Sequence, residues 1–313
     1  MREPSVWGGW WIVFTLAAAV LQTFRNAMQS SLASRLGTLG ATHVRFLFGL
    51  PFACLFLLVA AVVMNGPWPA PTVGFILWVV IGALSQIGGT ALMLAAMRER
   101  SFVVATAYIK TEPIQVALFG LVFLGDRLTP LASAAVMIAT GGVVAMAWPR
   151  PAAAGGQDGP TAQAPGGPLR PALYGVASGA LLALASVGFR GAILALGEGS
   201  FVLHATITLA TNLLLQTLVL SGWLLLRDPT VLRAVIAAWR PSVPAGFAGA
   251  AASQMWFLAF ALEAAARVRT LALVEILFAQ LLSRRVFAES TSGRERAGIG
   301  LVMLGVLLLL MAG

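Results

Sequence analysis

Charge is scarce in this chain of 313 residues: only 10% of its positions are Asp, Glu, Lys or Arg. Cysteine occurs once, as Cys54, which excludes an intrachain disulfide or a cysteine-held metal and leaves the redox compartment unread. Histidine occurs only as His43 and His204, and no histidine or cysteine cluster has metal-ligand spacing, so no metal is expected. No nucleophile–base pair stands out, which argues against an enzyme. No glycine-rich phosphate loop of the Walker type is present, so ATP is not the direct energy source and no cofactor is expected. Lysine also occurs once, as Lys110, beside nineteen arginines. The formal charge of +9 does not mark a nucleic-acid binder, because the arginines lie mostly at the ends of apolar runs and are not interleaved with aromatics. They read as topology determinants and head-group contacts, and nucleic acid is not an expected partner.

What the chain has in abundance is apolar surface. It is 59% hydrophobic with a mean hydropathy of +0.90, more than a soluble domain can bury, so the lipid bilayer is its expected surrounding. A crossing needs about 20 apolar residues. On that scale the sequence predicts ten spans, at 8–32, 41–64, 72–97, 101–124, 129–148, 171–196, 201–226, 242–264, 267–288 and 295–312. The first stretch contains Arg25 and runs on into more membrane sequence, so a cleavable signal peptide is not expected. Trp7, Trp10, Trp11, Trp68, Trp148 and Trp239 fall at segment ends, where indole rings suit the head-group zone.

Between spans five and six, residues 149–171 are rich in Pro, Gly and Ala without apolar periodicity, the composition of a flexible linker. It divides the chain into residues 1–148 and 172–313, each with five spans. Five is odd, so the second copy enters the membrane upside-down relative to the first. The expected fold is therefore all-α, ten transmembrane helices in two inverted five-helix repeats, with a binding site near the pseudo-two-fold axis. A register supports the duplication. Glu112 and Glu275 stand 163 residues apart, and the same offset places Asp126 on Glu289, Leu118 on Leu281, Gly142 on Gly305 and Val143 on Val306.

Ionised groups inside a membrane are costly, face a bundle interior, and mark substrate or proton paths. Glu112 and Glu275 each lie 14 residues from the acid that ends the segment, about 21 Å along a helix and deep in the hydrocarbon zone. A carboxyl there can hold a proton and release it when water or substrate arrives, which makes both candidates for proton coupling. The other reading is a fixed ion pair with Arg25, Lys110 or Arg190. Polar side chains at helical spacing suggest a cavity lining: Gln22, Arg25, Asn26 and Gln29 on span one, Gln86 on span three, Tyr108 with Glu112 on span four, Asn212 on span seven and Trp256 on span eight, while Lys110, on another face of span four, and Arg190 on span six are further candidates to line the path. Such groups can also be interhelical glue with no ligand. Arg45 lies only a few residues inside span two, where snorkelling to the interface is its expected role. Arg25, Lys110 and Arg190 against Glu112 and Glu275 leave a positive surplus, which favours an anionic or zwitterionic guest.

The stretches THVRFLFGLPFA (42–53) and VVATAYIKTEPIQVALFGLVFLGDRLTPLASAAVMIATGGVVAM (103–146) resemble an EamA domain of the drug/metabolite transporter superfamily. The likeness rests on Arg45-Phe46, on Pro113 in mid span four, and on the Leu124-Gly125-Asp126-Arg127-Leu128 turn before span five. The second half departs from it, with Ile276 for the proline and Ala288-Glu289-Ser290-Thr291 for the turn. The resemblance implies a multi-pass protein of the bacterial cytoplasmic (inner) membrane and a secondary carrier of a small polar metabolite, such as an amino acid or organic acid, working by alternating access. Proton exchange is the expected coupling. A flippase for a lipid-linked phosphate is the alternative, and an integral-membrane lipid-modifying enzyme a third. By the positive-inside rule Arg2, Arg127, Arg267 and Arg269 on the terminus side are outnumbered by arginines opposite, whereas the resembled family keeps its termini in the cytoplasm, so orientation stays open. The small faces of spans five and ten suit packing within one chain or in a homodimer.

Overall fold

The computed structural model describes residues 9–64, 67–99, 109–147, 169–275 and 293–312, and among them every regular element is a helix. In chain order these are α1 (Trp10–Leu47), α2 (Leu50–Met64), α3 (Val73–Glu99), α4 (Glu112–Phe119, continued by a π-helical turn at Gly120–Leu124), α5 (Pro130–Ala147) and α6 (Leu169–Ala195). They are followed by α7 (Phe201–Arg227), α8 (Pro229–Ala237), α9 (Trp239–Leu262), α10 (Ala265–Leu271, continued by a 3-10 turn at Ala272–Val274) and α11 (Gly293–Met311). Five stretches are long and apolar enough to cross a membrane: Leu39–Met64, Val73–Met93, Leu173–Ala195, Phe201–Arg227 and Trp239–Leu262. Shorter apolar helices cover Trp10–Arg25, Glu112–Leu124, Pro130–Ala145 and Arg296–Met311. Outward-facing Leu58, Val62, Val73, Val122, Leu225 and Leu226 form part of the apolar exterior that lipid would cover.

Several sequence expectations shift. The first two spans are not separated by a loop over residues 33–40. Instead α1 runs on to Leu47 and kinks at Gly37, whose φ of 68° only glycine adopts readily. Leu32 and Leu36 hold that segment helical by packing with Val44, Val231, Val235 and Ala245, so tertiary contacts override the weak apolar signal there. The short α8 is absent from the list of spans because one amphipathic helix of nine residues carries no membrane-length run. Asp228 starts it, accepting from the Val231 N–H and the Thr230 hydroxyl, with Pro229 in the first turn. Those hydrogen bonds hold the exposed Asp228 carboxyl below its usual range. Trp11 is buried beneath the Arg267 guanidinium, 5.3 Å from its ring centroid, and does not sit among head groups. Of the expected linker, 149–168 lies outside the described residues, and Leu169, Arg170 and Pro171 already belong to α6. Parts of spans four and nine, 101–108 and 276–288, also lie outside them.

Helices pack in reciprocal pairs: α1 along α9 and α3 along α6, α5 along α11, α2 against α7, and α4 against both α6 and α10. The α5–α11 contact is close enough to need glycine. A Cβ on Gly142 would stand 2.7 Å from the Gly298 carbonyl oxygen, and one on Gly305 would stand 2.6 Å from the Ala139 nitrogen. These obstacles are backbone, which cannot rotate away. Gly305→Val is therefore expected to lower thermal stability by about 1–3 kcal/mol through overpacking. Gly300→Ala is the control, since nothing lies within 4 Å of its Cβ position. Equal melting midpoints for the two variants in detergent would refute this close packing.

Candidate functional site

Two local irregularities build the centre of the bundle. Lys110 and Thr111 form a turn, and α4 begins at Glu112 with Pro113 behind it. In the second half α10 gives way to the 3-10 turn, and Glu275 follows at once. Because a helix start leaves backbone N–H groups unpaired and carries a positive dipole end, the Glu112 carboxylate suits its position. Each glutamate then takes a cation from the other half. Lys110 Nζ lies 2.5 Å from Glu275 Oε1, and Arg269 reaches Glu112 Oε1 from Nε at 2.7 Å and from Nη2 at 2.5 Å. The two ion pairs cross between the halves. All four side chains are between 12% and 22% exposed, too enclosed for bulk water to screen them fully.

Polar contacts extend this centre to α1 and α9. Gln22 Nε2 donates to Glu275 Oε2 at 3.2 Å, and Trp256 Nε1 donates to Gln22 Oε1 at 3.2 Å. The Arg269 guanidinium lies 5.1 Å from the Trp256 ring centroid, a cation–π distance. Buried Arg25 feels the charges of both Glu275 and Arg269. Of the sequence candidates, Gln22, Arg25, Lys110, Glu112, Trp256 and Glu275 thus meet in one cluster. The side chains of Asn26 and Gln29, and the whole of Tyr108, lie outside the described residues.

The remaining candidates sit in other networks. Gln216 on α7 donates to Gln86 on α3 at 2.7 Å and accepts from Asn212 at 3.2 Å, a polar seam between those helices. Arg190 is held by Asp126, with Nε to Oδ2 at 2.8 Å and Nη2 to Oδ1 at 3.2 Å. Its Nη1 donates to the carbonyls of Phe260 and Glu263 at 2.7 and 2.6 Å. Gly125 makes this possible: its φ of 68° ends the π-helical turn and swings Asp126 toward α6. Glu263 in turn accepts from Arg267 at 2.9 Å, and Arg267 donates to the Leu309 carbonyl. Asp126, Arg190, Glu263 and Arg267 therefore tie together the ends of five helices, α4, α6, α9, α10 and α11.

Two arginines escaped the sequence reading. Arg269 counts among the terminus-side arginines at the start of span nine, yet from α10 it pairs with Glu112. The repeat offset could not reveal it, because Thr106 occupies its counterpart, just as Leu273 occupies that of Lys110. The offset relates the carboxylates and not their cations. Arg45, expected to snorkel outward, turns inward and donates from Nη2 to Ser253 Oγ on α9 at 3.4 Å. Gly249 accommodates it: a Cβ there would lie 3.3 Å from Arg45 Cγ and 3.4 Å from Arg25 Cδ.

No curated protein sequence matches the chain. A solved crystal structure with 17% identity aligns over 96% of this chain and 99% of its own, with a TM-score of 0.66, a likeness of fold alone. Residues 9–148, which contain Arg25, Lys110, Glu112 and the Gly125-Asp126 turn, match the EamA-like transporter family, and the first half of this multi-pass membrane protein is a domain of that family.

Proposed function

We propose that the chain is a secondary active carrier of a small polar metabolite, anionic or zwitterionic, such as an amino acid or organic acid. Family membership of the first half supports transport, and the crossed pairs Lys110–Glu275 and Arg269–Glu112 are the observation that carries the site. They lie where the helices of the two halves are interrupted, the usual place for a transporter's binding site. In this reading residues 172–313 are a second, inverted copy of residues 1–148, joined by a linker that starts at 149. The packing supports it: numbering spans one to ten, an exchange of halves turns the contact of spans one and eight into that of six and three. It also maps the contacts of two with seven, four with nine and five with ten onto themselves. Gly142 and Gly305, related by the repeat offset, make equivalent close contacts across α5 and α11.

The mechanism is alternating access, with the halves rocking about the site. Each glutamate is neutralised by a cation from the other half while the pair is closed. Rocking separates the pair, and a glutamate without its cation in an apolar interior takes a proton instead. Glu112 and Glu275 thus couple proton binding to movement, and Gln22, Arg25, Lys110 and Trp256 form the seat for the guest. Gln86 and Asn212 support that seat through the α3–α7 seam. Arg190 acts at the helix ends, away from the guest. The expected membrane is a bacterial cytoplasmic one.

The test is a thermal-shift screen of the purified protein against amino acids, organic acids, sugar phosphates, nucleosides and polyamines. The carrier reading expects an anionic or zwitterionic compound to raise the melting midpoint, with the rise lost in Arg25→Ala. In proteoliposomes that compound should drive proton movement which Glu112→Gln abolishes. Stabilisation by polyamines alone would overturn the charge assignment, and stabilisation only by lipid phosphates would point to a flippase.

A further inference from the structure

Three membrane-length stretches end at one level of the molecule. Phe201–Arg227 stops there, Trp239–Leu262 starts there, and α8 is the short link between them. Leu39–Met64 begins beside them, because Val231 and Val235 of α8 pack against Leu36 and Gly40 of α1. A link in that position stands at head-group depth.

The two faces of α8 differ. Val235 is fully buried and Val231 half-buried on the side toward α1. Arg233 and Ile236 are exposed on the opposite side, as their helical spacing from the two valines requires. The flanking helix ends carry the same two kinds of residue. Trp223, Leu226 and Arg227 close α7, Trp239 and Arg240 open α9, and all five are exposed. Arg227 lies 5.2 Å from the Trp223 ring centroid and Arg240 5.5 Å from that of Trp239. A cation–π contact consumes none of a guanidinium's N–H donors. Among the described residues no carboxylate pairs with Arg227, Arg233 or Arg240. Asp228, the one acid from Trp223 to Arg240, is engaged in starting α8.

We infer that α8 and its two flanks form a docking surface for anionic phospholipid head groups. Arg227, Arg233 and Arg240 take the phosphates, and Trp223, Ile236 and Trp239 sit in the apolar layer just beneath. Charge complementarity selects this occupant, since guanidinium forks fit phosphate oxygens. The exposed indoles and isoleucine fit the boundary between head groups and acyl chains, at the level where the spans end. A soluble anion would use the arginines and leave those apolar side chains in water. Arg240 and Trp256 are separated by about 24 Å along α9. The surface is therefore distinct from the crossed ion pairs and does not depend on the carrier reading.

The experiment places the full chain in phosphatidylcholine nanodiscs in which an equal fraction of lipid is brominated, as either phosphatidylcholine or phosphatidylglycerol, and follows tryptophan quenching. Brominated phosphatidylglycerol should quench more, because lipid gathered by the arginines stands beside Trp223 and Trp239. The excess should vanish when Trp223→Phe and Trp239→Phe are combined, which locates it, and in high salt, which screens the charge. Each of Arg227→Gln, Arg233→Gln and Arg240→Gln should weaken phosphatidylglycerol binding about fivefold, the effect of one basic residue at an anionic surface. The triple variant should show no excess and keep its melting midpoint, since these side chains are exposed. If it misfolds, the salt and tryptophan readouts still decide. Equal quenching by the two lipids, or an excess that survives the arginine or the tryptophan changes, overturns the surface. Displacement of phosphatidylglycerol by glycerol phosphate at matched ionic strength assigns the arginines to a soluble anion, and a dimer that the triple variant splits assigns the face to a second copy. Either result also overturns it.

Discussion

Arg190→Ala is expected to destabilise the folded bundle by about 3–5 kcal/mol, the range for removing one partner of a buried ion pair. The reason is the number of groups that depend on one side chain. Asp126 takes two of its donors, and the carbonyls at the end of α9 take the third nitrogen twice. The two side chains are only 13% and 16% exposed, so water would not easily replace those contacts. Removal leaves a carboxylate and two carbonyls without donors in a low-dielectric setting, and each omission is costly. Arg190→Lys should recover part of the loss and not all, because an ammonium cannot hold Asp126 with two parallel bonds and also reach two carbonyls. Thermal unfolding in detergent, followed by circular dichroism, measures the effect. A midpoint for Arg190→Ala equal to that of the parent would sink the tie. If Arg190 bound the guest instead, Arg190→Lys would lose the ligand-induced stabilisation while keeping its fold.

Reversing one charge of the central cross is the second large effect. Lys110→Glu sets a carboxylate against Glu275, and Glu275→Lys sets an ammonium against Lys110, so each single variant should abolish transport and lose stability. The double exchange restores opposite charges across the same 2.5 Å contact. A double-mutant cycle should give a coupling of about 1–3 kcal/mol, in the range for residues in direct contact. The decisive comparison is between stability and transport. A fixed structural pair recovers both in the double exchange. A working pair recovers the fold without transport, because the group that takes up a proton has moved to the other helix. Recovery of full transport would remove the proton role from Glu275.

Much of this arrangement is readable from residue types alone. The apolar helices come from composition and spacing, which respond to the bilayer before any helix meets another, and five of them are long enough to cross it. The long interior polar residues could also be recognised as belonging together in kind. What spacing cannot supply is pairing. Lys110 and Glu112, two positions apart, point to different faces, and nothing local says that each would find its partner in the other half. Arg269, at the start of the span expected over 267–288, looked like a boundary arginine because its long run of apolar neighbours begins only after it. The short α10 and its 3-10 turn carry it into the centre. Arg45 looked able to reach the interface because a flexible side chain can snorkel, and the space left by Gly249 is what lets it turn inward.

The sequence by itself determined that this protein is a multi-pass membrane protein of apolar helices with a few expensive charges inside. Those facts follow from the cost of moving each residue type into lipid, which each residue meets alone. The tertiary structure decided which charges neutralise one another and which polar residues serve as seams. Those facts depend on distances between residues from 64 to 165 positions apart, from Asp126 and Arg190 to Lys110 and Glu275. Only the packing of one half against the other creates such distances.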